Sequence, residues 1–234
     1  MKDLLMRRPI DPEVLKLMVA ALPNVAFDGW SNSTFEAACR ETEISERKAR
    51  LSCPRGALDL AVAFHKWGDD QFEISFKKKR ISKLKVREKI KKAVELRIKL
   101  ASDKEAVRRG VALFALPIYA FEGSRLIWDT ADLIWELIGD NSEDYNWYSK
   151  RTILSAVYAS TVLYWLGDDS EGNKETWHFL DRRIEDVMKF ENAKIQLKKN
   201  KFTKEFNGLA GKFLQKIKRP TRNIDPNLPG YLDT

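Results

Sequence analysis

Two cysteines, Cys39 and Cys53, and two histidines, His65 and His178, are all that this 234-residue sequence offers of those types. A disulfide framework or a zinc knot needs more thiols at set spacings, so neither is built here, and a reducing compartment fits. Glycine is scarce at 11. No glycine-rich phosphate loop and no serine nucleophile elbow occur, and strand-like alternation is hard to find. No apolar stretch reaches the ~20 residues that cross a bilayer, and residues 1–9 lack the apolar core of a secretory signal. One Glu-x-x-His pair, Glu175 and His178, has the spacing of a di-iron bundle. Such a site needs two of these motifs plus two more carboxylates, and His65 has Val62 where the second acid would stand. No catalytic residue, no metal ligand and no cofactor is expected.

What the chain does have is charge and helical periodicity. Charged residues make up 32% and apolar ones 44%, the net charge is +8, and the pI is about 9.3. That balance favours anionic partners, either nucleic acid or acidic lipid headgroups. Ten Lys and Arg fall in 77–92 and nine in 194–219. The first run has no aromatic residue, so it is no stacking platform for single strands. It reads as a solvated face or a membrane-facing belt.

The pattern predicts helices throughout. Asp11-Pro12-Glu13 opens the first, with Val14, Leu15, Met18, Val19 and Leu22 as its apolar face and Pro23 as its end. Ser33-Thr34-Phe35-Glu36 is a capping box for a second, and Ser45 caps a third over 46–52. Together they make a helix-turn-helix pattern. A long helix follows over 55–80, then others over 86–100, from Asp103 to about 117, and over 119–138, Tyr145–Leu166 and 175–198. The most apolar stretch is 111–166, which holds Trp128, Trp135, Trp147 and Trp165, and 152–167 carries no charge at all. A helix apolar all round is buried in protein, in a partner, or against an apolar ligand. The expected organisation is a helix-turn-helix-like head at 1–53, a helical body at 54–200, an amphipathic segment at 201–218 and a disordered tail at 219–234 rich in proline.

A small three-helix head, a long connecting helix and an apolar helical body together resemble the TetR-type regulator fold. The likeness narrows at Pro54-Arg55-Gly56-Ala57-Leu58-Asp59-Leu60-Ala61 and at Asp144-Tyr145-Asn146-Trp147-Tyr148-Ser149-Lys150-Arg151, followed by Glu175-Thr176-Trp177-His178-Phe179-Leu180-Asp181-Arg182-Arg183-Ile184. These stretches resemble the ubiquinone (coenzyme Q) biosynthesis accessory proteins that bind lipid, over about residues 15–200. The resemblance implies an all-α homodimer, formed through the helices at about 145–166 and 174–198, that is not an enzyme. It implies a pocket for an isoprenoid lipid or quinone intermediate or a phospholipid, and the demethoxyubiquinone hydroxylase, a di-iron enzyme, as partner. The location it implies is peripheral, on the cytoplasmic face of a bacterial inner membrane or the matrix side of a mitochondrial one. Carried onto matching positions, the hydroxylase-docking surface is Asp132, Ile134, Trp147, Tyr148 and Arg151, with Ile134 departing in shape from the methionine common there.

Phe114, Trp128, Leu163 and Trp165 are the candidate lipid-lining residues, chosen from an apolar region that offers little else. The alternative function is a ligand-responsive DNA-binding regulator. Glu46, Arg47, Lys48 and Arg50 are available on its second reading helix. Against it, Thr42-Glu43-Ile44 lacks the usual glycine in the turn, and Glu41, Glu43 and Glu46 place negative charge near phosphates.

Phe202, Phe206, Leu209, Phe213 and Ile217 fall on one arc of a helical wheel, between lysine-rich flanks. An aromatic stripe with a cationic polar face lies in a bilayer interface, each basic residue adding roughly 1 kcal/mol at an anionic surface. Deleting 202–234 is expected to leave the core folded and dimeric and to remove most co-sedimentation with cardiolipin-containing liposomes. Undiminished co-sedimentation of the truncated chain would move the contact elsewhere, first to 77–92.

Overall fold

Side-chain caps begin most of the helices, and two apolar cores hold them. The computed structural model describes residues 9–79, 82–101 and 103–199, with side chains through 189. The expected membrane helix with Phe202, Phe206, Leu209, Phe213 and Ile217, and the tail beyond it, lie outside the described residues.

Helix α1 runs Pro12–Asp28, and Asp11 caps it by accepting from the Glu13 N–H at 2.7 Å. It does not stop at Pro23. The bond that proline forfeits is the one to the carbonyl four residues back, at Val19, which is half exposed and can be hydrated. Continuing the helix buries Val25, so the inward face becomes Leu17, Met18, Ala21 and Val25, and Val19 turns to solvent. Gly29 then ends it at φ +66°, in the region where glycine is favoured.

Helix α2 is Asn32–Thr42, capped by Ser31 where the sequence pattern points to Ser33, and α3 is Glu46–Ser52, capped by Ser45 as expected. Glu43 supplies the left-handed residue of the turn between them, at φ +57°. A non-glycine residue there costs about 1–2 kcal/mol, so the turn closes without the glycine at a local energetic penalty.

Helix α4, Ala57–Lys77, spans both cores. Its first half, with Leu60 and Phe64, packs against Leu17, Met18 and Phe35 of the head. Its second half gives Phe72 and Phe76 to a body core with Val94, Ile98, Ile134 and Leu180. The head core thus extends past residue 53 into α4 and takes Ala106 as well.

The body is completed by α5 (Val86–Lys99), α6 (Lys104–Phe114, capped by Asp103), α7 (Ala120–Leu137), α8 (Tyr145–Leu166) and α9 (Lys174–Lys199). Helices α7 and α8 form a hairpin whose turn uses Gly139 at φ +87° and an Asp144 cap. Before α9, Asp168 accepts from the Thr176 backbone N–H and hydroxyl, and bonds from Ser170 and Thr176 hold its carboxyl well below the usual range. The described residues are all-α, with no strand among them, and no described helix is long and apolar enough to cross a membrane. The uncharged stretch of α8 from Thr152 on buries Leu154, Val157, Tyr158, Thr161 and Trp165 but leaves Leu163 and Tyr164 outward.

Candidate functional site

Between α4, α5, α6, α7 and α8 lies a cavity of about 380 Å³. Its walls are mainly apolar: Phe64 and Trp67 from α4, Val111 and Phe114 from α6, Ile127 from α7, Val162 and Trp165 from α8. Volume and lining are those of a small-molecule site. Of the four expected lining residues, Phe114, Leu163 and Trp165 meet in this cavity and Trp128 does not. Trp128 faces the α7–α8 turn, its ring 5.8 Å from Trp147 and 6.5 Å from Tyr148.

Small residues on α7 make the space. Ala120, Gly123, Ser124 and Ile127 share one face and line the cavity. A β-carbon on Gly123 would come within 2.6 Å of the Phe114 Cβ, so glycine is what lets α6 lie this close to α7. The spacing of Ala120, Gly123 and Ser124 is the sequence signal for this wall of the cavity.

The inner end of the cavity is polar. Arg97 on α5 is 5% exposed; its Nε donates to Asp69 at 2.8 Å and its Nη2 to the His65 carbonyl at 3.0 Å. The Thr130 hydroxyl lies 2.9 Å from Asp69 Oδ1 and 2.9 Å from His65 Nε2. A hydroxyl has one proton, and a buried carboxylate is its natural acceptor. Thr130 therefore donates to Asp69 and accepts from His65, which fixes the proton on Nε2. The network ties α4, α5 and α7 together. Tyr158 on α8 is also buried there, and desolvation raises its phenol pKa, Arg97 lowering it and Asp69 raising it further. The roles of Arg97, His65, Asp69, Thr130 and Tyr158 depend on contacts between helices that spacing within one helix does not encode.

The mouth is apolar, and its residues are exposed. Ala115, Ala120, Ser124 and Leu163 line the cavity and are exposed; beside them the α6–α7 link presents Leu116 and Ile118 (77% exposed), and the first turn of α7 presents Phe121 (84% exposed).

At the other end of the hairpin the expected docking residues separate into two groups. Trp147 and Tyr148 are half-buried and stack edge-on at 4.8 Å. Asp132, Ile134 and Arg151 are buried, so the structure corrects their placement on the surface. Arg151 pairs with Asp132, reaches Asp140 at 3.1 Å, donates to the Trp147 carbonyl at 3.2 Å and lies 4.1 Å from the centre of the Trp147 ring. Burial opposes the Asp140 charge, but bonds from Lys150, Ser142 and Arg151 outweigh it and lower its pKa. These buried charges fix the turn and hold the aromatic pair from beneath. Glu175 and His178 are exposed on α9, and no cluster of potential metal ligands occurs among the described residues.

Helices α7 and α8 and most of the described part of α9 carry the comparison that matters. Residues 120–191 match the COQ9 family. The matched segment contains the hairpin, its aromatic patch and two walls of the cavity. The chain is 29% identical over 214 residues to the probable ubiquinone biosynthesis protein coq9, mitochondrial, of Dictyostelium discoideum, covering 88% of this chain and 67% of that protein. It is 32% identical over 117 residues to the human ubiquinone biosynthesis protein COQ9, mitochondrial, covering 50% of this chain and 37% of the human one. The rat protein of the same name gives 32% over the same length, covering 50% of this chain and 38% of its own. This chain thus matches only a little over a third of the length of the human and rat proteins. In fold it is similar to a TetR transcriptional regulator from Nitrosomonas europaea ATCC 19718, with a TM-score of 0.60 and 18% identity over 75% of this chain and 97% of that one. At that identity the likeness is one of fold.

Proposed function

We propose that this chain is a non-enzymatic, lipid-binding accessory protein of ubiquinone biosynthesis, which takes a polyprenylated quinone intermediate from a membrane and presents it to the demethoxyubiquinone hydroxylase. The carrying observation is the apolar cavity with its exposed apolar mouth, in a chain that matches COQ9. A near-insoluble isoprenoid needs such a path from bilayer to protein, because apolar area left in water costs about 25 cal/mol per Å². Leu116, Ile118 and Phe121 at the mouth suit contact with a bilayer, alongside the proposed interfacial helix at 202–217. On α8 and α9, the exposed Tyr164, stacked on Phe179, and the exposed Met188 favour a homodimer through these helices. The names of its relatives carry the word mitochondrial, which supports a mitochondrial site of action, and the matrix side of the inner membrane is the location we propose.

DNA reading finds less support. Of the cations on α3, Lys48 is held by Glu13 at 2.6 Å, and Arg50 by Glu46 at 2.7 Å and Asn32 at 2.9 Å. Protein purified from membranes-containing lysate and analysed by native mass spectrometry is expected to carry quinone or isoprenoid lipid, and to show no affinity for duplex DNA at low salt. Lipid-free protein with tight, salt-sensitive, sequence-selective DNA binding would reverse the assignment.

Docking of the hydroxylase is proposed at Trp147 and Tyr148, with Trp128 behind them, since Trp and Tyr dominate interface energetics. Trp147→Ala is expected to abolish hydroxylase capture with a small loss of stability. Arg151→Ala strands two buried carboxylates and is expected to lower the unfolding free energy by about 3–5 kcal/mol, measured by urea denaturation. Equal stability losses in the two variants would make Trp147 a packing residue.

A further inference from the structure

We propose that the Tyr158 hydroxyl anchors the head of the cavity's ligand, donating a hydrogen bond to a neutral carbonyl or ether oxygen on an isoprenoid amphiphile that enters head first. This rests on the lipid-carrier reading and adds what that reading leaves open: the direction of insertion and the chemistry of the head.

Tyr158 is 5% exposed and lines the cavity. The charged groups that act on its hydroxyl are Arg97 and Asp69, which are paired with each other. Buried tyrosine hydroxyls ordinarily find a hydrogen-bond partner, and the open side of this one is the cavity. Burial raises its pKa, so the group is protonated at neutral pH and acts as a donor.

The neighbouring charges argue for an uncharged head. Arg97 is the permanent cation among the described lining residues, and its guanidinium is committed to Asp69 and to the His65 carbonyl. It is also packed hard against α4: a β-carbon on Gly68 would lie 2.7 Å from Arg97 Nη2. A phosphate brought there would be desolvated beside a pair that is already neutral, which is unfavourable without a further cation. A substituted quinone ring carries no charge and offers several oxygen acceptors.

Geometry sets the direction. Leu163, at the exposed mouth, is five residues further along α8, about 7.5 Å along the helix axis. Tyr158, Arg97 and His65 thus mark the inner end and Leu163 the exit. The cavity takes one drug-sized body, so a long polyprenyl tail would run out past Leu163 and Phe114 to the apolar link.

The test is displacement of a solvatochromic naphthalene dye from the full-length chain and its Tyr158→Phe variant, which removes one oxygen and keeps the ring. The probes are ubiquinone with two isoprene units, an isoprenoid hydrocarbon of similar length, and a short-chain phosphatidylcholine. The variant is expected to bind the quinone about tenfold more weakly and the hydrocarbon equally well. Unchanged quinone affinity overturns the anchor while leaving the carrier reading intact. Equal loss of both probes also overturns it, because the hydroxyl then supports the cavity and not a head. A tenfold loss confined to phosphatidylcholine overturns the quinone assignment in favour of an ester carbonyl. Failure of the unmodified chain to bind either isoprenoid overturns the carrier reading, and the anchor with it.

Discussion

The buried pair between Asp69 and Arg97 is the constraint on which this architecture turns. Neither charge is tolerable alone in an apolar interior, so α4 and α5 must meet at that point, and Thr130 brings α7 to the same carboxylate. Gly68 is the residue that lets the guanidinium lie flat on α4. With three helices fixed there and α6 held against α7 through Gly123, the space between them cannot collapse at its inner end. The same pairing removes net charge from the cavity wall. A site for a neutral amphiphile follows from how the fold satisfies two buried ions.

Helix α8 links that cavity to the second feature of the protein. Trp147 and Tyr148 stand on its first turn, and Tyr158, Ala159, Val162, Leu163 and Trp165 line the cavity further along. Ten residues separate Tyr148 from Tyr158, about 15 Å of helix. A ligand gripped at one end and an aromatic patch at the other share one rigid element, with Arg151 locking the patch to Asp132 and Asp140. The arrangement suits a carrier whose loaded cavity has to sit close to another protein's surface.

Much of the fold was legible in the sequence because its signals are local. Asp11, Ser45, Asp103 and Asp144 cap the helices that spacing predicts, and Tyr145–Leu166 has the predicted limits. Pro23 misled because its lost hydrogen bond falls on the solvent side, where water can replace it. At the site the limit was different. Phe114 and Trp165 could be chosen for being apolar, but Trp128 is just as apolar and faces the turn. Asp132 and Arg151 have the chemistry of docking residues, and only their mutual pairing shows that they are buried. Tyr158 and His65 gain meaning from neighbours on other helices, which no single-helix periodicity reports.

What occupies the cavity, and which way round it lies, decides what this protein carries. Anomalous diffraction from crystals of the full chain grown with a short-chain quinone, brominated at the end of its tail, measures both. The account predicts one bromine peak at the mouth beside Leu163, with the quinone ring against Tyr158. A bromine peak at Tyr158 with the ring outside would reverse the orientation, and bromine found only on the outer surface would contradict the cavity as the lipid site.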